Sequence, residues 1–144
     1  MIKIVLDTSI ILAALISKSG SSFRIIEELF ENKIINFVSQ EILEEYFRIL
    51  IFKGTKYFPL SLVFEFYKAI EEKSILVIPK EHFTFCRDPE DNKFLDVVYE
   101  SKAEYLITLD RDLLDLRDEN KEFKIKEHRF KILRPEEFLE EINE

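Results

Sequence analysis

Cysteine occurs once in this sequence, at Cys86, and histidine twice, at His82 and His128. A lone thiol cannot form an internal disulfide, which fits a reducing, cytoplasmic setting. The two histidines lie far apart and lack zinc-type spacing, so the common zinc sites are excluded. Glycine occurs twice and proline four times, which leaves no long flexible linker. The only Gly/Ser cluster, Ser17–Ser22, reads as a turn between two helices. Long hydrophobic runs are also missing. The apolar stretch Ile10–Ile16 falls far below the roughly 20 residues of a membrane helix, and only Lys3 precedes it as a positive charge. No membrane partner is expected, and this stretch is read as a buried helix.

What remains is a chain of 144 residues, 47% hydrophobic and 35% charged, suited to one domain over 1–144 with its own core. The net charge of −8 argues against a protein that coats nucleic acid, because phosphate contacts need local Lys and Arg. It does not exclude an enzyme whose acids gather around metal ions. A basic cluster does occur late, at Lys121, Lys124, Lys126, His128, Arg129, Lys131 and Arg134, and reads as a solvated loop and edge strand.

Ile2–Leu6 is a β-branched run that stops at Asp7-Thr8-Ser9, as a buried strand followed by a helix start should. Further strands are expected at Asn36–Val38, Ser74–Ile78, Glu104–Thr108 and Phe130–Leu133. Helical spacing marks the intervening stretches: up to Ile16, Phe23–Phe30, Glu41–Phe52, Pro59–Glu72, Asp88–Lys102 and Asp110–Leu116, with a last helix opened by Pro135. Strands separated by helices predict an α/β fold, a three-layer α/β/α sandwich around a mostly parallel five-stranded sheet.

In such sheets sites form beyond the carboxyl ends of the strands. Asp7 follows the first strand and Asp110 the fourth, while Asp91 opens the helix before the fourth. Glu45 shares a helix face with Ile42 and Ile49 and so borders the buried stripe. Carboxylates brought together repel, and a hard divalent cation such as Mg²⁺ or Mn²⁺ removes the conflict while bridging to phosphate. Without His or Cys, this set favours phosphodiester over zinc peptidase chemistry. Each acid also has an ordinary explanation. Asp7, Asp88 and Asp110 could be helix N-caps, Asp91 a capping-box acid after Asp88, and Glu45 a surface partner of Arg48.

Five stretches carry a resemblance. Ile4-Val5-Leu6-Asp7-Thr8-Ser9 resembles the first motif of PIN domains, and Ser39-Gln40-Glu41-Ile42-Leu43-Glu44-Glu45-Tyr46 the second. Cys86-Arg87-Asp88-Pro89-Glu90-Asp91-Asn92-Lys93-Phe94-Leu95 is similar to the third motif of one prokaryotic PIN branch. Ala103-Glu104-Tyr105-Leu106-Ile107-Thr108-Leu109-Asp110 resembles the fourth, and Ile132–Leu139 the branch's last strand and helix. The third and fourth are the most specific, and the match runs in order along nearly the whole chain.

The resemblance implies a single PIN domain and an Mg²⁺- or Mn²⁺-dependent endoribonuclease, similar to the VapC-type toxins of toxin–antitoxin pairs. It implies a homodimer with a small antitoxin partner. Carried over, the family's metal-binding and catalytic acids fall on Asp7, Glu45, Asp91 and Asp110, with Asp88 and Asp112 as helpers. Thr8, Ser9 and Thr108 would orient the ligands, and Arg24, Arg48, Lys93 and Arg111 are candidates for steering RNA. The chain departs from the pattern at Asp96, Val97, Val98 and Tyr99, where the branch has small residues. The rival readings are a non-catalytic PIN-like module that binds RNA or protein, and a phosphoacceptor receiver domain. The latter would want paired acids after the first strand, where only Asp7 stands.

Overall fold

The structure, a computed structural model, describes residues 1–143. Residue 144, the end of the expected domain, lies outside them. The first strand, β1 (Ile2–Leu6), has Ile4, Val5 and Leu6 fully buried, so both of its faces are covered. That is the signature of a central parallel strand. Two helices, α1 (Thr8–Ile16) and α2 (Ser21–Phe30), lead to β2 (Ile34–Val38). Then α3 (Gln40–Ile49), capped by Ser39 Oγ accepting from the Ile42 amide at 3.2 Å, runs into a π-helical turn at Leu50–Gly54. Its last residue packs closely against α1, since a Cβ on Gly54 would stand 2.7 Å from Leu15 Cδ2. Next come α4 (Leu60–Lys73), the short strand β3 (Ser74–Leu76) and a 3₁₀ turn at Pro89–Asp91. They are followed by α5 (Asn92–Ser101), β4 (Tyr105–Ile107) and α6 (Arg111–Leu114). The chain closes with β5 (Glu122–Ile125), β6 (His128–Leu133) and α7 (Pro135–Ile142).

The strand order is β3-β2-β1-β4-β6-β5, parallel except for β5, which pairs antiparallel with β6. The mostly parallel, helix-flanked sheet agrees with expectation; its strand count does not, since among the described residues there are six strands, not five. The missed strand, β5, lies in the basic stretch read as loop. The β5–β6 hairpin pairs Ile125 with His128 across Lys126-Glu127, and Lys126 takes the left-handed φ of 55° that glycine or asparagine usually signals. Because β1 winds out to β2 and β3 while β4 lies on its other side, the order reverses between β1 and β4. A crevice belongs at that switch point. No single helix among the described residues is long and apolar enough to cross a membrane.

Candidate metal centre

Backbone pairing fixes the ends of β1 and β4 side by side, with the Asp7 amide donating to the Ile107 carbonyl at 3.0 Å. Both strand ends therefore deliver an acid to the same crevice. Behind Asp7 a buried polar net holds β1 in place. Asn36 Oδ1 accepts from the Leu6 amide at 2.9 Å, and Tyr46 Oη donates to the Leu6 carbonyl at 2.5 Å.

Asp7 is 4% exposed and does not cap α1, so its N-cap explanation fails. Ser9 Oγ donates to Asp7 Oδ2 at 2.6 Å and Thr108 Oγ1 donates to the same oxygen at 2.7 Å. Both bonds fall on Oδ2, which leaves Oδ1 available. Each hydroxyl also accepts from the loop after β4: Ser9 Oγ from the Leu109 amide at 3.1 Å, Thr108 Oγ1 from the Asp110 amide at 2.9 Å. Two side chains thus couple the Asp7 and Asp110 loops, which suits the orienting role expected of Ser9 and Thr108. Thr8 instead donates to Glu45 Oε2.

Asp110 does cap its helix, accepting from the Asp112 amide at 3.0 Å, and Asp88 caps the 3₁₀ turn through the Glu90 amide at 3.0 Å. Asp91 behaves differently. It makes no capping bond, and its Oδ2 is buried without a hydrogen-bond partner among the described residues. Such an orphan is costly and uncommon. Burial first, then the adjoining Asp110 carboxyl and the charges of Asp7 and Asp88, push Asp91 up to about 8. Burial likewise raises Asp7 above its ordinary value, opposed by the Ser9 and Thr108 hydroxyls and reinforced by Asp110 and Glu45. A divalent cation fits this donor set, because it supplies the missing partner and removes the repulsion.

Asp7, Thr8, Ser9, Glu45, Asp88, Asp91 and Asp110 line one open cavity of about 490 Å³. Asp112 does not line it, yet Asp88, Asp91 and Asp112 offer oxygens within 4.8 Å of one another. Asp91 therefore stands between two acid groups. In the outer group Asp112 is already paired with Arg87 at 2.8 Å.

The basic candidates divide sharply. Lys93 is not a surface charge available to RNA. Its side chain is 5% exposed, with Nζ 2.7 Å from Glu45 Oε1 and 3.2 Å from Glu90 Oε1. Residues Asn92 to Val98 are all buried, so a lysine in that enclosed helix must reach an acid. Glu45 is consequently paired with Lys93, not with Arg48. Arg48 and Arg111 are exposed, and Arg24 lines a separate recess with Lys18 and Glu27. Sequence reasoning missed Lys53, which lines the acid cavity from the π-turn. Its signal was the helical spacing of Glu45, Ile49 and Lys53, all three of which line the cavity. The unassigned Asp96 braces the segment before the 3₁₀ turn, accepting from the Phe83 amide at 2.8 Å and pairing with His82 at 3.0 Å. Burial, and then the charges of Asp91, Asp110, Asp112 and Asp88, raise Cys86 to about 12, so this thiol stays protonated and unreactive.

A mostly parallel α/β sheet with an acid-lined cavity at its switch point suits a protein that could bind a divalent metal and act on phosphate esters. The chain belongs to the PIN domain family, whose model matches residues 3–112. PIN domains are in general metal-dependent nucleases, and the fold here is a nuclease fold. An uncharacterized protein of Methanocaldococcus jannaschii is 42% identical over 142 residues, covering 97% of this chain and 91% of that one.

Proposed function

We propose that this protein is an Mg²⁺- or Mn²⁺-dependent endoribonuclease, the toxin of a toxin–antitoxin pair that acts in the cytoplasm as a homodimer. The observation that carries the nuclease reading is the buried, unpartnered Asp91 oxygen beside Asp7 and Asp110. Asp7, Asp91 and Asp110 would hold the ion, with Asp88 and Asp112 within reach of Asp91. When bound, the ion lowers the pKa of a coordinated water and offsets charge on the scissile phosphate. The chain's residues do the rest. Ser9 and Thr108 fix the Asp7 carboxylate, while Glu45 either joins the ligands or orients the attacking water and takes its proton. Lys53, on the cavity wall, is placed to attract the phosphate. The toxin role, the dimer and the antitoxin rest on the resemblance of the third and fourth motifs to the toxin branch.

The test is cleavage of mixed structured and single-stranded RNAs with Mg²⁺, Mn²⁺ or chelator, comparing wild type with Asp7→Asn. Metal-dependent products that the variant fails to make support the reading. RNA binding without product at millimolar Mn²⁺ would favour a non-catalytic module instead.

A further inference from the structure

Glu45 and Asp91 line the same cavity but stand in opposite states. Glu45 has both oxygens engaged, Oε1 with Lys93 Nζ at 2.7 Å and Oε2 with the Thr8 hydroxyl. Asp91 is 8% exposed, and its Oδ2 has no hydrogen-bond partner among the described residues. A cation entering the cavity gains most where a buried oxygen lacks a partner, and least where it must displace an existing one. Lys93 is itself a buried cation, delivered by α5 and anchored on its far side by Glu90 at 3.2 Å. It comes from the same helix start as Asp91, two residues away in sequence, so one turn of chain supplies both a ligand and a counter-charge.

We propose that Lys93 is a positioning residue that holds Glu45 off the metal, so that the divalent ion is bound at Asp91 and its neighbours without Glu45. The inference rests on the metal-site reading above. It assigns Glu45 to the second of the two roles left open there, orienting water, with its carboxylate steered by Lys93 and Thr8. A lysine does here, without exchange, what a second divalent ion would do for an otherwise uncompensated glutamate.

Mn²⁺ binding to the intact protein, followed by calorimetry and by counting bound ions, tests this without RNA. Asp91→Asn should weaken Mn²⁺ binding more than about 100-fold, since it removes a direct ligand. Glu45→Gln should leave Mn²⁺ affinity within about threefold of wild type, as expected if it is not a ligand. Lys93→Met frees Glu45 and should bring in a second Mn²⁺ per chain, while Lys93→Arg should restore wild-type stoichiometry. In chelator, Lys93→Met should melt below wild type, and adding Glu45→Gln should recover most of the loss. The proposal is overturned if Glu45→Gln weakens Mn²⁺ as much as Asp91→Asn does. It is also overturned if wild type and Lys93→Met bind the same number of ions with equal affinity. Should Lys93→Met fail to fold, the Glu45→Gln titration decides alone. Loss of Mn²⁺ binding in no variant, Asp91→Asn included, would instead defeat the metal-site reading itself.

Discussion

The two ends of the sheet's right half carry opposite charge and treat it in opposite ways. At the switch point between β1 and β4, acids gather with the buried Lys93 cation among them, and Asp91 Oδ2 is left without a hydrogen-bond partner among the described residues. Around the β5–β6 hairpin, basic residues gather just as densely, but most find acids. Arg129 pairs with Glu122, Lys121 and Arg117 with Glu137, Lys131 with Glu141 and Lys126 with Glu81. The basic region is closed electrostatically, so it is a poor candidate for holding a phosphate backbone. The acidic region is open, which is what a site awaiting a cation requires. Net charge of −8 alone does not distinguish these cases; only the pairing does.

Breaking the open side should have the largest effect. Asp91→Asn is expected to lower metal-dependent cleavage more than about 100-fold while raising the melting temperature of the metal-free protein, because a repelled buried carboxylate is gone. The pH dependence follows from its shift to about 8 from an ordinary 3.8. A raised acid gives its full contribution below 3.8, and that stability is lost as pH rises through about 8. Thermal melts in chelator should therefore show wild type falling further below Asp91→Asn from pH 4 to pH 8. Saturating Mn²⁺ should close the gap, adding about 2.7 kcal/mol at 100 times Kd. Equal pH profiles for the two proteins would refute this account of Asp91. The next effect is smaller. Thr108→Val removes the hydroxyl that joins Asp7 Oδ2 to the Asp110 amide, and should weaken Mn²⁺ affinity by about 10–100-fold in a calorimetric titration.

How far the sequence alone reveals these two regions differs for a physical reason. The ends of β1 and β4 are legible because a β-branched run halted by Asp and a helix start is a local pattern. Asp7, Asp91 and Asp110 could be placed at one edge from topology alone. The Lys93–Glu45 pair could not, since its partners lie on separate helices and only packing joins them. The enclosed composition around Lys93, with Phe94, Leu95, Val97 and Val98 all buried, was the available hint. On the closed side, Glu122-Phe123-Lys124-Ile125 alternates as an edge strand does, but its turn lacks the usual glycine. The π-turn at Leu50–Gly54 left no mark in the spacing, because a single inserted residue shifts the helical phase without interrupting it.

The closed side should respond through stability, not metal binding, and in proportion to burial. Arg117 donates to Glu137 at 2.8 Å and also to the Ile132 carbonyl at 2.9 Å, with both side chains mostly buried. Burial alone would raise Glu137, but Arg117, the Arg134 amide and Lys121 overcome it and hold the carboxyl at about 2. A depressed acid stabilises above its ordinary 4.5, and that contribution is lost as pH falls toward 2. Arg117→Ala should cost about 1–3 kcal/mol at neutral pH by urea unfolding and flatten the acid limb of the stability profile. Lys131→Ala is the mildest break. Its ammonium sits 2.7 Å from Glu141 Oε2, yet both side chains are about a third exposed, at 31% and 32%. Solvent screening reduces such a pair to about 0.5 kcal/mol or less, and high salt should erase even that difference between variant and wild type. If Lys131→Ala instead lowered RNA binding strongly while leaving stability unchanged, the hairpin would be an open nucleic-acid surface after all, and the contrast between the two regions would fall.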